Sequence, residues 1–115
     1  MPTTVYGYIR REDDNEAEVD RLHDQLTAHA ATAGWHLAEV FVDRCMPPAR
    51  IVRPGLALLV DTIRAAEDCA VLVVDDSHFS TLLPVRRAIE EEIAGTGCPV
   101  LAVAAPDSNT SPVAP

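Results

Sequence analysis

The run Cys69-Ala70-Val71-Leu72-Val73-Val74 is apolar at every position and stops abruptly on Asp75-Asp76. A strand with no polar alternation has no face for water, so it belongs at the centre of a parallel sheet covered on both sides. Such a sheet needs other strands beside it and helices to carry the chain back, and the rest of the sequence supplies them.

Thr4-Val5-Tyr6-Gly7-Tyr8-Ile9 is rich in β-branched and aromatic residues and predicts a first strand. From Asp13 or Asp14 to Ala33, the apolar positions Val19, Leu22, Leu26, Ala30 and Ala33 recur at steps of three and four. Acidic residues crowd the first turn and Gly34 marks the stop, so this predicts a helix. Trp35 to Val42 predicts a second strand, and Arg44 to Val52, with Pro47-Pro48, predicts a loop. Pro54 suits a first helical turn, and Leu56, Leu59, Val60 and Ile63 continue a helical stripe to about Ala66. Leu82, Val85, Ile89 and Ile93 predict a third helix ending at Gly95/Gly97, and Pro99 to Val103 a fourth strand.

The expected fold class is therefore α/β: a three-layer α/β/α domain with a four-stranded, mainly parallel sheet and right-handed crossovers. Residues 1–104 form that domain. Residues 105–115, rich in Pro, Ser and Asn, cannot build a core and are expected to be a disordered tail.

Charge narrows the function. Nine arginines and no lysine face eighteen acidic residues, a net charge of −9. Binding to duplex DNA draws on cations that neutralise phosphates, so DNA binding by this chain alone is not expected. Three cysteines, Cys45, Cys69 and Cys98, are widely spaced with no C-x-x-C pair, which predicts reduced thiols. No apolar run approaches the ~20 residues needed to span a bilayer, and a cytoplasmic protein without a membrane partner is the expectation.

In parallel sheets ligands gather beyond the carboxyl ends of the strands. That rim collects Arg10, Asp43, Arg53 and Asp75/Asp76 from separate segments. Arginines held by carboxylates suit an oxyanion, which makes Arg10 and Arg53 candidate anion-binding residues. Charged residues also accumulate at strand ends simply because the loops there meet water.

Three strings carry a resemblance. Tyr6-Gly7-Tyr8-Ile9-Arg10 resembles the Tyr-x-Arg opening of the serine recombinases, the resolvase and invertase family. Val40-Phe41-Val42-Asp43 is similar to the Val-Phe-x-Asp that ends their second strand, and Arg53-Pro54-Gly55-Leu56 matches their Arg-Pro-Gly-Leu helix start. Order and spacing agree from about Tyr6 to Val103.

The resemblance implies a resolvase-like catalytic-domain fold and identifies Tyr8, Arg10, Glu12, Asp43, Arg53 and Asp76 as family-site positions. In that family a serine two residues after the first arginine attacks a DNA phosphodiester while arginines stabilise the transition state. Here that position is Glu12. A carboxylate is repelled by phosphate and would give a labile acyl phosphate. The family's Asp-Arg-Leu-x-Arg falls on Asp76-Ser77-His78-Phe79-Ser80, with both arginines replaced by serine. Losing one such donor typically costs ~3 kcal/mol of transition-state stabilisation. The family also continues into a further strand, a long dimer-forming helix and a DNA-binding domain, which the resemblance does not reach.

The expectation is thus a catalytically inactive serine-recombinase-like domain, with no catalytic residue, that acts as a protein-interaction or regulatory module. Its partner is another protein, a second copy or a recombinase-family subunit. The alternatives are a small-anion or nucleotide module using the strand-end arginines, and an accessory subunit in DNA binding or recombination. If the surviving residues are structural, an arginine–aspartate network tying strand ends together is expected.

No cofactor or metal is expected. His23 and His29 are six apart and on different helix faces, and the four histidines, His36 and His78 included, read as solvated. His78 with Asp76, Ser77 and Ser80 resembles a hydrolase group only superficially, because neighbours in one loop rarely orient on each other as a triad must. Glu12-Asp13-Asp14-Asn15-Glu16 complements a helix dipole, and Glu90-Glu91-Glu92 is most simply a wet helix face.

Overall fold

The structure is a computed structural model that describes residues 3–66 and 68–103, and of Asp76 the backbone alone. The elements run β1 (Thr4–Arg10), α1 (Glu16–Ala33), β2 (His36–Asp43), α2 (Pro54–Ala65), β3 (Cys69–Val73), a 3-10 turn (Asp76–His78), α3 (Leu83–Ala94) and β4 (Val100–Ala102). The expected tail from residue 105 lies outside the described residues.

The four strands form one sheet in the order β2-β1-β3-β4, and every pairing is parallel. All five residues of β3 are buried, as an unbroken apolar run requires of a central strand. On one face α1 lays Leu22, Leu26 and Ala30 against Val5, Ile9, Leu72 and Val74. On the other, α2 and α3 bring Leu59, Ile63, Ile89 and Ile93 onto Tyr8, Val71, Val73 and Phe79. Each of these valine, leucine and isoleucine side chains contributes roughly 1.5–3 kcal/mol on burial, and together they make the three layers. Gly7 permits the α1 contact, since a Cβ there would lie 3.0 Å from Leu26 Cδ1 and 3.1 Å from Val40 Cγ2.

The first helix starts later than its acidic lead-in suggests. Asn15 is the N-cap, its side chain accepting from the Glu18 amide at 3.1 Å, while Asp13 is folded back onto Arg11 and the Asn15 amide. Local side-chain acceptors thus turn the chain before helix can form. Because β1 and β2 run parallel with Arg10 opposite Asp43, both strands deliver their charged ends to the same rim.

Candidate functional site at the carboxyl ends of the strands

The Asp43 carboxylate is committed to the start of α2. That helix begins at Arg53-Pro54 with no side-chain cap of its own, so its first amides lack intrahelical acceptors. Asp43 supplies them from β2: Oδ1 accepts from the Gly55 amide at 2.8 Å and Oδ2 from the Leu56 amide at 2.9 Å. A negative charge there also meets the positive end of the helix dipole. Glycine at 55 favours this contact, because a Cβ would lie 3.0 Å from the carboxylate atoms and push Asp43 back by a few tenths of an ångström.

Tyr8 joins Asp43 to Arg53. Its hydroxyl donates to Asp43 Oδ2 at 2.8 Å and accepts from Arg53 Nη1 at 3.3 Å. Burial above all holds the Tyr8 phenol far above its ordinary pKa, so it remains a neutral donor. The ring stacks on Phe79 with centroids 6.1 Å apart.

Arg53 is only 1% exposed and does not reach the cleft described below. Its Nε donates to the Arg50 carbonyl at 2.6 Å and its Nη2 to the Pro48 carbonyl at 3.3 Å. The 44–52 loop runs outside regular structure, so its carbonyls need donors from elsewhere. Arg10 provides another, Nη1 donating to the Met46 carbonyl at 3.0 Å, while its Nη2 donates to the Ser77 carbonyl at 3.0 Å. Ser80, fully buried, donates to the Pro48 carbonyl at 2.8 Å and accepts from the Leu82 amide at 2.9 Å.

The expected arginine–aspartate network is indirect where it is described, the Tyr8 hydroxyl bridging Asp43 and Arg53. Among the described residues neither Arg10 nor Arg53 forms an ion pair with Asp43. The aspartate serves helix amides and the arginines serve loop carbonyls, with the Tyr8 hydroxyl between them. The solvated reading of the histidines fails for His78, which is 7% exposed. Its Nδ1 accepts the Arg10 main-chain amide at 3.0 Å, and burial lowers its pKa from 6.5, keeping the ring neutral. A single sequence gives no sign of a side chain that will complete the amide pairing of a distant strand end.

Beside Arg10 an open cleft of about 510 Å³ lies between the β1 and β3 ends and α1. Glu12, where the resemblance places a nucleophile, is on its wall, with its carboxylate 3.3 Å from Arg10 Nη1. Arg11 pairs with Asp13 at 2.8 Å, and Arg21 pairs with Glu18. Those contacts lower the pKa values of Asp13 and Glu18. All three arginines on the cleft thus already face a carboxylate of this chain. The Arg10 Nε is buried without a hydrogen-bond partner among the described residues. The Asp76 side chain lies outside the described residues. Ser77 is turned onto Asp75, its amide donating to Oδ1 at 2.9 Å and its hydroxyl to the same oxygen.

No family model and no curated protein sequence matches the chain. Solved structures do. One is the C-terminal catalytic domain of ISC1926 TnpA, an IS607-like serine recombinase, with a TM-score of 0.74 at 21% identity over 87% of this chain and 67% of that one. A second is the N-terminal catalytic domain of TP901-1 integrase, with a TM-score of 0.77 at 24% identity over 87% and 77% of the two chains. The chain has the serine recombinase catalytic-domain fold. A third structure, the first open reading frame of transposon ISC1904 from Sulfolobus solfataricus P2, gives a TM-score of 0.68 at 15% identity over 86% and 66%. Within the recombinase fold, Tyr8, Arg10, Asp43 and Arg53 are brought to one rim, with Arg10 and Glu12 on the cleft and Arg53 beneath the neighbouring loop. No group of three or more metal-ligating side chains occurs among the described residues, and no described helix is long and apolar enough to cross a membrane.

Proposed function

We propose that this recombinase-like domain binds without turnover, as a protein-interaction or regulatory module. The observation that carries the reading is the Glu12–Arg10 contact at 3.3 Å. A carboxylate stands where the resemblance puts a nucleophilic hydroxyl, and it faces the guanidinium that a transferring phosphoryl group would need. The remaining cleft arginines are paired in the same way, and Arg53 is spent on loop carbonyls. Retention of these residues is then explained by folding: they cap α2 and hold the 44–52 loop.

A protein partner fits the surface better than nucleic acid does. Val52 is 78% exposed and, with Ile51, lines a depression shared with Leu56, Ala57 and Val60, on the loop and helix that the buried arginines support. Exposed apolar side chains grouped in this way are characteristic of association surfaces, whereas a net charge of −9 opposes a polyanion. The reading is tested by incubating purified protein with supercoiled plasmid at low salt. Unchanged topology and no protein–DNA adduct are expected, and relaxed circles that require the protein would overturn it.

A second reading, a small-anion site at Arg10, is favoured by one observation: the unpartnered Nε buried beside the cleft. Phosphate- or sulfate-dependent thermal stabilisation that disappears in Arg10→Ala would support it, and no shift at millimolar anion would remove it.

A further inference from the structure

At the opposite end of the sheet from the cleft, Cys69 opens β3 and Cys98 precedes β4. Twenty-eight residues separate them in sequence, yet their sulfurs lie 3.3 Å apart and both side chains are buried. Cys98 Sγ also donates to the Cys69 carbonyl at 3.0 Å, which leaves the sulfur–sulfur contact to the Cys69 proton. A depression of about 330 Å³, walled by Asp68, Thr96, Gly97 and Pro99, opens directly onto the pair. Two thiols in contact at the floor of an open depression have both a partner and an entry path for a small oxidant. The third cysteine, Cys45, is exposed on the 44–52 loop, towards the other end of the sheet.

From this we infer that Cys69 and Cys98 are a dithiol that closes reversibly to an intramolecular disulfide under a peroxide, tying the start of β3 to the entry of β4. The sulfurs must approach by only about 1.3 Å to reach disulfide bonding distance. Parallel strands that are already hydrogen-bonded, with the Val71 amide donating to the Pro99 carbonyl at 2.9 Å, hold the two residues in register for it.

The chemistry balances with hydrogen peroxide as the oxidant. One thiolate attacks a peroxide oxygen, the O–O bond breaks, and the departing hydroxide takes up a proton as water, leaving a sulfenic acid. The second sulfur attacks the sulfenic sulfur, an S–S bond forms, the S–O bond breaks, and that hydroxide leaves as water with the second thiol's proton. Two thiols lose two electrons, and the peroxide becomes two waters. Burial raises the Cys98 pKa to about 12, so closure is slower than at an exposed, activated thiol. It is driven instead by proximity once the first sulfur is oxidised.

The test uses the full chain with Cys45→Ser, which removes the exposed thiol, treated with hydrogen peroxide and then with a phosphine reductant. Intact mass should fall by two hydrogens and free thiols from two to none. The product should carry no disulfide between molecules, and the midpoint of thermal unfolding should rise by on the order of 10 °C, because a long loop is closed in the unfolded chain. Reductant should reverse every change. Peptide mapping that finds Cys69 joined to Cys98 supports the assignment. Oxygen additions that persist as sulfinic acid, disulfides only between molecules, or two thiols still free after prolonged peroxide treatment, well beyond the time that oxidises the exposed Cys45 of the unsubstituted chain completely, would each overturn it.

Discussion

The Asp43 carboxylate lies 3.0 Å from the place where a Cβ on residue 55 would stand. A carboxylate that caps a helix from a strand needs the helix backbone to come close, and a side chain at 55 would have to displace it. The Gly55→Ala protein should keep its fold but lose about 2–3 kcal/mol, the order expected when charge-assisted hydrogen bonds are displaced. Urea unfolding with an unchanged slope is the measurement, and a midpoint equal to that of the unsubstituted chain would contradict the capping role.

Removing the Tyr8 hydroxyl takes one donor from Asp43 and one acceptor from Arg53 while the ring stays in place. Tyr8→Phe should therefore cost about 1–2 kcal/mol. Combined with Arg53→Ala, it should cost less than the two changes added separately, because the residues share one network. Strict additivity in a double-mutant cycle would sever the link.

His78 makes stability depend on pH in a defined direction. Its pKa is lowered in the folded state, chiefly by burial, so the unfolded chain binds the proton more readily. Stability is then fully present above the ordinary value of 6.5 and declines as pH falls below it towards the folded-state pKa. In His78→Asn the side-chain oxygen can still accept the Arg10 amide but cannot titrate. Thermal midpoints at pH 7.5 and 5.5 should differ less in that variant than in the original, and an equal difference would assign the pH response to other groups.

The alternation of strands and helices was legible because β3 has no polar position and because α1, α2 and α3 carry apolar residues at helical steps. Gathering of Arg10, Asp43 and Arg53 at one rim was legible too, since parallel strands deliver their ends together. Their partners were not. Asp43 with Gly55 depends on how closely β2 and α2 approach, and Arg53 with Pro48 depends on the path of a loop that no periodicity describes. Ser80 precedes a helix, which hints at a cap, but its bond to Pro48 crosses between segments. Cys69 and Cys98 meet only because β3 and β4 pair in one register.

Glu12 offers a separate check on the cleft. If its carboxylate occupies the outward side of the Arg10 guanidinium, Glu12→Gln weakens that contact and leaves Arg10 more available. Millimolar phosphate should raise the thermal midpoint of Glu12→Gln more than that of the original chain. Equal shifts in both would mean that Glu12 does not guard Arg10.

The measurement closest to the central claim is a denaturing-gel search for a covalent protein–DNA adduct, using labelled duplex with the original chain and with Glu12→Ser. No adduct is predicted in either, because restoring a hydroxyl at position 12 supplies no arginine at Ser77 or Ser80 and leaves Arg10 and Arg53 bonded to carbonyls. An adduct in the original chain would contradict the account outright. One in Glu12→Ser alone would show that the surrounding site still activates phosphate, and that Arg10 and Arg53 retain a part in chemistry beyond holding the loop.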